Sequence, residues 1–161
     1  GESDGMLAAE VLEQIGAALD YLHQQGIVHQ DVKPSNVFLC RNGTLKLLDL
    51  GVSRPLESLK DAVGTPAYMA PEQFRGEAGL HSDQYSLGLI LAEVLQGRRS
   101  STETNPTILA HQRATSVPDL DDLPLEMRRH LARMLHPDPD KRFDDLSQAR
   151  SALTDILFHS R

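Results

Sequence analysis

Four polar side chains between positions 31 and 49 are of the types that could handle a phosphate group and its metal ion. Asn36 and Asp49 offer the hard oxygen ligands that suit Mg²⁺, an ion that proteins usually bind together with phosphates. Asp31 supplies a carboxylate that could accept a proton, and Lys33 supplies an ammonium group that could balance phosphate charge. Phosphoryl transfer needs these parts, because its catalysis depends mainly on positioning and on charge stabilisation.

A β-hairpin is predicted to bring two of these residues together. The apolar runs 37–40 and 45–48 flank Asn42-Gly43, which is the strongest short-range signal for a hairpin. If these two residues form the turn, Asn36 lies directly opposite Asp49, with the two Cβ atoms about 4.5–5.5 Å apart. The pattern therefore predicts that an amide and a carboxylate share one small site.

Helices must position this hairpin. Residues 6–25 have apolar residues at helical spacing, from Leu7 through Val11 to Leu22, with Asp4 as a predicted cap and Gly26 as the end. A second helix is predicted at 82–96 and is apolar around most of its circumference, which is typical of a helix buried in the middle of a domain. Two more helices are expected near 124–135 and 145–158, on either side of a tight corner at 137–139. The predicted fold is one mainly α domain, 1–161, with a single small hairpin.

Composition excludes several classes of function. The formal net charge of −7 argues against nucleic acid or an anionic membrane as the main partner. No apolar run is long enough to span a bilayer, and no signal-peptide pattern opens the chain. Cys40 is the only cysteine, so no disulfide can form within the chain, which favours a reducing, cytoplasmic setting. The seven histidines show no zinc-type pairing with cysteine.

The segment 29–36, with the sequence HQDVKPSN, resembles the catalytic loop of protein kinases. The triplet 49–51, Asp-Leu-Gly, is similar to the metal-binding triplet of the same family. The resemblance implies that Asp31 is the base for the substrate hydroxyl, and that Asn36 and Asp49 bind magnesium. It also implies ATP and Mg²⁺ as cofactors and a protein as substrate.

Further motifs follow in the order that this family has. The run from Gly64 to Glu72, GTPAYMAPE, resembles the end of an activation segment, which would then span 49–72. Residues 83–88 resemble the start of the family's buried central helix, predicted above at 82–96. Asp83 is expected to accept backbone N–H groups of the catalytic loop, and Arg142 falls on the arginine that pairs with the glutamate at position 72.

Details of these motifs resemble the serine/threonine kinases, and the runs 64–73, GTPAYMAPEQ, and 82–88, SDQYSLG, resemble bacterial members most closely. Lys33, two positions after the base, is the serine/threonine form of the catalytic loop. Thr65 lies where such kinases use a threonine to bridge Asp31 and Lys33 beside the incoming substrate. The fold that this resemblance implies is the large C-terminal lobe of the α+β kinase fold. 

Several residues have structural roles or depart from the family pattern. His29 is expected to brace the loop by packing against Leu50, which replaces the common phenylalanine of the triplet. Phe38 is predicted to share a face of the hairpin with Asn36 and Leu47, and so to form the floor of the adenine site. Gln30 replaces the arginine that usually pairs with an activation-segment phosphate, which argues against activation by that route.

The chain contains no glycine-rich phosphate loop, no strand lysine for the ATP phosphates and no hinge. These pieces belong to the N-terminal lobe, which the resemblance therefore predicts as a missing partner. Two hypotheses follow. The chain is the catalytic lobe of a kinase that is inactive by itself, or it is a truncated or split lobe that acts as a non-catalytic binding module.

Overall fold

Helices make up most of the chain in the computed structural model, which describes residues 2–59 and 61–159. The prediction of a mainly α fold is confirmed. Lys60, within the predicted activation segment, and the two ends of the predicted domain lie outside the described residues. The helices are α1 (Glu2–Glu10), α2 (Gly16–Gln24), α3 (Pro71–Phe74), α4 (Leu80–Gln96), α5 (Pro106–Thr115), α6 (Leu125–Met134) and α7 (Leu146–His159). Across this part of the chain no helix is long and apolar enough to cross a membrane.

The first predicted helix is a continuous helical run, in which a π-helical turn at Val11–Ile15 joins α1 to α2. Its buried face includes Leu12, Ile15 and Leu19. Leu7, predicted to lie on this face, is 45% exposed, and Asp4 lies inside the helix instead of capping it. For Leu7 the physical reason is the π turn, because its wider spacing breaks the α-helical phase on which the prediction depended. Asp4 is not a cap because the helix already begins at Glu2.

The central helix α4 is buried as predicted, although it begins at Leu80, two residues before the expected start. Every residue from 82 to 92 is buried. The helices α1, α6 and α7 pack around this part of the core. The expected corner between α6 and α7 contains a 3₁₀ turn at Pro139–Lys141, which Asp138 caps by accepting the N–H of Asp140 at 2.9 Å.

The predicted hairpin is present as β2 (Val37–Leu39) and β3 (Leu45–Leu47), but its register differs by one residue. Val37 pairs with Leu47, and the loop contains the three residues 41–43 instead of two. Gly43 has a φ of 85°, the left-handed conformation that closes a three-residue hairpin loop. Asn36 therefore pairs with Leu48, whose N–H it accepts at 2.7 Å, and the prediction that it lies opposite Asp49 is wrong.

Several elements were not predicted, among them the short helix α3. A second antiparallel ribbon joins β1 (Ile27–Val28) to β4 (Arg54–Pro55) and attaches the chain after position 49 to the end of α2. Helix α5 begins after Asn105, whose Oδ1 accepts the N–H of Thr107 at 2.9 Å. An asparagine cap followed by proline is a helix-start signal, but weak amphipathicity in the following residues concealed it.

Candidate active site

Asp83, in the first turn of α4, holds the backbone of the catalytic loop 29–36. Its Oδ2 accepts the N–H of His29 at 2.8 Å, and its Oδ1 accepts the N–H of Gln30 at 2.9 Å. The carboxylate is buried, and these bonds compensate a burial that would otherwise be costly. Gln30 has a φ of 72°, which is strained for a residue with a side chain. The bonds to Asp83 therefore hold a loop conformation that local preferences oppose.

A further partner of Asp83 is His23 in α2, which sequence reasoning missed. Its Nε2 lies 2.7 Å from Asp83 Oδ2, and both side chains are largely buried. No motif spacing connects the two residues, because only the packing of α2 against α4 brings them together. His23 therefore supports the loop 29–36 indirectly, through its contact with Asp83.

The ring of His29 connects the catalytic loop to the strand that leads to Asp49. Its Nδ1 accepts the N–H of Asp31 at 3.1 Å, so Nε2 carries the proton and donates to the carbonyl of Leu48 at 3.1 Å. The side chain is fully buried. Leu50, expected to pack against this ring, is 55% exposed, and the bracing shown by the hydrogen bonds runs through the backbone of Leu48.

Asp31, Lys33 and Thr65 form a closed triangle of polar contacts. The Thr65 hydroxyl donates to Asp31 Oδ1 at 2.8 Å and accepts from Lys33 Nζ at 2.7 Å. Lys33 Nζ also lies 3.3 Å from Asp31 Oδ2. The three side chains are partly buried, with 12% of the Asp31 side chain and 24% of the Lys33 side chain exposed. A carboxylate and an ammonium group are thus held side by side at the surface, joined by a residue 32 positions further along the chain.

Asn36 and Asp49 lie at the open end of the hairpin. The Asn36 carbonyl accepts its last backbone hydrogen bond from Leu48, the residue before Asp49. The Asn36 amide nitrogen donates to the carbonyl of Asp31 at 2.8 Å, which leaves its side-chain oxygen for another partner. Asp49 has a φ of 62°, and its Oδ1 accepts the N–H of Gly51 at 3.1 Å. Its side chain is exposed. Both residues therefore present an oxygen that suits a hard cation.

Phe38 lies on the hairpin two residues after Asn36 and is 55% exposed. It pairs with Lys46, whereas Leu47 pairs with Val37. Because side chains alternate between the faces of a strand, Phe38 and Leu47 point to opposite faces, and the prediction that they share one is wrong. Asn36 lies in the 3₁₀ turn Pro34–Asn36 just before the strand, so strand alternation does not relate its side chain to that of Phe38.

Gln30 joins the catalytic loop to the segment that follows the triplet. Its side-chain nitrogen donates to the carbonyl of Val52 at 2.8 Å, and its own carbonyl accepts from Gln73 Nε2, also at 2.8 Å. Gly64 passes so close that a Cβ there would lie 2.7 Å from the same Gln30 carbonyl. Position 30, where the family usually has an arginine, is thus joined to the chain on both sides of the segment 53–72 by the uncharged side-chain amides of Gln30 and Gln73.

Glu72 and Arg142 form a two-pronged ion pair, with N–O distances of 2.7 and 2.8 Å. Both residues are buried, and Ser82 donates a further hydrogen bond of 2.8 Å to the carboxylate. Burial by itself would raise the pKa of Glu72, but the hydrogen bonds and charge of Arg142 outweigh it and lower the pKa below 4.5. This pair connects the end of the segment 49–72 to the residue that follows the 3₁₀ turn Pro139–Lys141, ahead of α7.

Among the described residues, no group of three or more His, Cys, Asp or Glu side chains is arranged to hold a metal ion. Asn36 and Asp49 together offer fewer oxygen ligands than an octahedral Mg²⁺ site takes, so further oxygen ligands would complete such a site. Phosphate groups are the usual source of such ligands. The donor chemistry fits Mg²⁺ carried by a nucleotide.

The comparisons with known proteins agree with this geometry. The family model for the protein kinase domain matches residues 4–157. The chain is 34% identical over 91% of its length to the serine/threonine-protein kinase PknB of Mycolicibacterium smegmatis, of which it covers 25%. It is 37% identical over 83% of its length to the probable serine/threonine-protein kinase SCO3848 of Streptomyces coelicolor, of which it covers 22%.

The match extends over nearly the whole chain and includes the catalytic loop, the triplet and the buried Glu72–Arg142 pair. At the same time, the chain spans only about a quarter of the length of these curated relatives. On this evidence the chain belongs to the protein kinase family, among the serine/threonine kinases of bacterial type.

Proposed function

We propose that this chain carries the phosphoryl-transfer residues of a serine/threonine protein kinase, which moves the γ-phosphoryl group of Mg-ATP to a serine or threonine hydroxyl of a protein. The observation that carries the proposal is the triangle of Asp31, Lys33 and Thr65, with hydrogen bonds of 2.7 and 2.8 Å. Since the chain covers about a quarter of the length of this relative, the activity is proposed for the protein expressed from the complete reading frame.

Asp31 orients the substrate hydroxyl and accepts its proton. Its Oδ1 accepts from Thr65, and its Oδ2 lies 3.3 Å from Lys33 Nζ and 3.5 Å from Asn36 Nδ2, so the carboxylate is held in one orientation. Lys33 keeps this carboxylate in place and offsets charge on the phosphoryl group during transfer. Such stabilisation is the main catalytic resource of kinases, because the reaction needs little covalent help from the protein.

Asn36 and Asp49 would hold magnesium through the side-chain oxygens described above. The bound ion would neutralise charge on the nucleotide phosphates. Asn36 is oriented for this role by the bond from its amide nitrogen to the Asp31 carbonyl, which couples the metal ligand to the base. Phe38, two residues further along the chain and 55% exposed, would support the adenine ring.

The test is the substitution Asp31→Asn in the protein expressed from the complete reading frame. We expect kcat for a serine-containing protein substrate to fall by about 10²–10⁴-fold, because the general base is lost. Thermal unfolding should change little, since an amide can keep the hydrogen bond from Thr65. Asp155→Asn, on the exposed face of α7, is the matched control and should retain wild-type turnover. Retained turnover in the Asp31 variant would reject this assignment.

A non-catalytic docking module is the second candidate. The observation in its favour is that three large apolar residues, Phe38, Leu39 and Leu50, are each more than half exposed. Exposed apolar residues could bind a partner without turnover. If the protein from the complete reading frame transfers no phosphate with Asp31 intact, this second function replaces the first.

A further inference from the structure

The loop 65–70, which we call the substrate-facing loop, begins at Thr65, the residue that contacts Asp31 and Lys33. A substrate hydroxyl at Asp31 would therefore have its neighbouring residues beside this loop. The residues at positions 65–68 are partly exposed, so they can meet a bound peptide. The shape of this loop is then a candidate determinant of which peptides are accepted.

The loop accepts three hydrogen bonds from one side chain, that of Arg113 in α5. Its Nη1 donates to the carbonyls of Pro66 and Met69, both at 2.9 Å, and its Nη2 donates to the carbonyl of Ala67. The remaining carbonyl of this stretch, that of Tyr68, accepts from Ser86 at 2.6 Å. All four consecutive carbonyls, 66–69, are thus held by side chains of α4 and α5.

Arg113 is only 4% exposed, and it donates three hydrogen bonds to neutral backbone carbonyls. Burial lowers the pKa of the guanidinium, while Tyr85 and Glu93 oppose this effect. A charged group taken out of water is costly unless its partners compensate it well. The three loop carbonyls compensate the buried guanidinium only when the loop has this shape. The buried charge of Arg113 therefore favours this one loop conformation.

Tyr68 supplies a second tether between the loop and α4. Its hydroxyl donates to Glu93 Oε1 at 2.6 Å. Burial and this bond raise the pKa of Tyr68 to about 12, so the phenol stays protonated and keeps donating. The loop is therefore attached at one end to the proposed base through Thr65, and along its length to two helices.

We propose that Arg113 is a positioning residue that fixes the substrate-facing loop and thereby selects which residue next to the acceptor serine or threonine is accepted. The selectivity part of this inference rests on the proposed kinase function. Arg113 touches neither the nucleotide ligands nor Asp31, so it acts through the loop alone. Its loss should affect peptide recognition and leave nucleotide binding unchanged.

The test uses Arg113→Ala and Arg113→Lys in the protein expressed from the complete reading frame, with serine peptides that vary at the positions beside the acceptor. We expect Arg113→Ala to raise KM for the preferred peptide by about tenfold, the effect of roughly one lost charge-assisted hydrogen bond, and to flatten the preference among peptides. KM for ATP should not change. Arg113→Lys, which keeps a charge with fewer donors, should restore part of the preference.

Arg129→Ala is the control, because Arg129 is an exposed arginine on α6, away from the loop. A second readout needs no activity: hydrogen exchange of the Tyr68 and Met69 amides, which donate within the loop to Thr65 and Pro66. These amides should exchange faster in Arg113→Ala and recover in Arg113→Lys. If Arg113→Ala does not fold, Arg113→Lys decides whether Arg113 positions the loop. A partial loss of peptide preference and partly faster exchange of the Tyr68 and Met69 amides would support the proposal, and wild-type values of both would reject it.

The outcomes separate this inference from the proposed function. An active wild type, with unchanged peptide preference and unchanged exchange in the Arg113 variants, would overturn the inference alone. A wild type that phosphorylates no peptide would overturn the kinase proposal and with it the selectivity role. Amide exchange would then still decide whether Arg113 positions the loop.

Discussion

Buried charged side chains are placed where several partners compensate each of them. Asp83 accepts two backbone N–H groups and meets His23, while Glu72 and Arg142 satisfy each other and contact Ser82 and backbone carbonyls. In each case the partners come from distant parts of the chain. Removing one member leaves the other without compensation in a site from which water is excluded, so single substitutions here have large effects.

Glu72→Gln is the prediction at this scale. We expect the substitution to lower the free energy of unfolding by about 3–5 kcal/mol at neutral pH, because Arg142 stays buried without a counter-charge. The wild-type pKa of Glu72 is lowered by folding, so its stabilisation is complete above 4.5 and is lost as the pH falls through the lower folded value. The difference between variant and wild type should therefore shrink in acid. Denaturant titrations at a series of pH values measure it.

Glu126→Gln is the matched control for this experiment. Glu126 lies on the surface of α6 and forms an exposed pair with Arg129, three residues further along the helix. Such pairs contribute about 0.2–1 kcal/mol, so the control should remain near wild type at every pH. A Glu72 variant whose deficit stays constant from neutral to acid pH would contradict the ion-pair explanation.

Short elements, not long ones, carry the proposed chemistry. The hairpin β2–β3 presents Asn36 and Asp49 at its open end, and its three-residue loop sets the register that puts Leu48 opposite Asn36. The ribbon β1–β4 directs the chain after the triplet back towards the catalytic loop. Helix α5 brings Arg113 to the substrate-facing loop. Each of these elements depends on the long helices behind it for its position.

Gly43→Ala is the prediction for the hairpin. A Cβ at this position would meet no atom within 4 Å, so only the φ of 85° opposes it. We expect a loss of about 1–2 kcal/mol in the free energy of unfolding, since the left-handed conformation is strained for alanine. Gly5→Ala also meets no atom, but Gly5 lies in helix α1, so this control should be neutral or stabilising by about 1 kcal/mol. Equal effects of the two variants would contradict the loop conformation.

The molecule as a whole has its apolar core among the helices and its candidate site along one edge. The core is centred on α4, with α1, α2, α6 and α7 around it. The site edge instead exposes Phe38, Leu39 and Leu50. As proposed, the 161 residues supply one wall of a nucleotide cleft.

The prediction at this scale concerns the chain by itself. We expect the 161-residue chain to show little affinity for Mg-ATP in a calorimetric titration, because ligand sites gain most of their affinity from enclosing the ligand. Protein expressed from the complete reading frame, titrated in parallel, should bind more tightly. Micromolar binding to the 161-residue chain would show that this wall is sufficient and would contradict the expectation.

Helices with strong periodicity, the existence of the hairpin and the family could be predicted from the sequence. The repeating apolar positions of 82–96 and the spacing of Asp31, Asn36 and Asp49 are local patterns, and local patterns survive folding almost unchanged. Predictions of which residues are buried or paired failed where one irregular turn changed the helical phase or the strand register. The π turn at Val11–Ile15 displaced the buried face, and the three-residue loop ending at Gly43 moved Asn36 one position along its partner strand.

By itself, the sequence determined the order of the kinase motifs and the residue types that can do phosphoryl transfer. Only the tertiary structure decided that His23 supports Asp83, that uncharged hydrogen bonds join Gln30 to Val52 and Gln73, and that Arg113 donates to carbonyls of a loop 44–47 residues away. The physical reason is that these contacts join residues far apart in the chain. Their distances depend on how whole helices pack, and spacing along the sequence does not encode that packing.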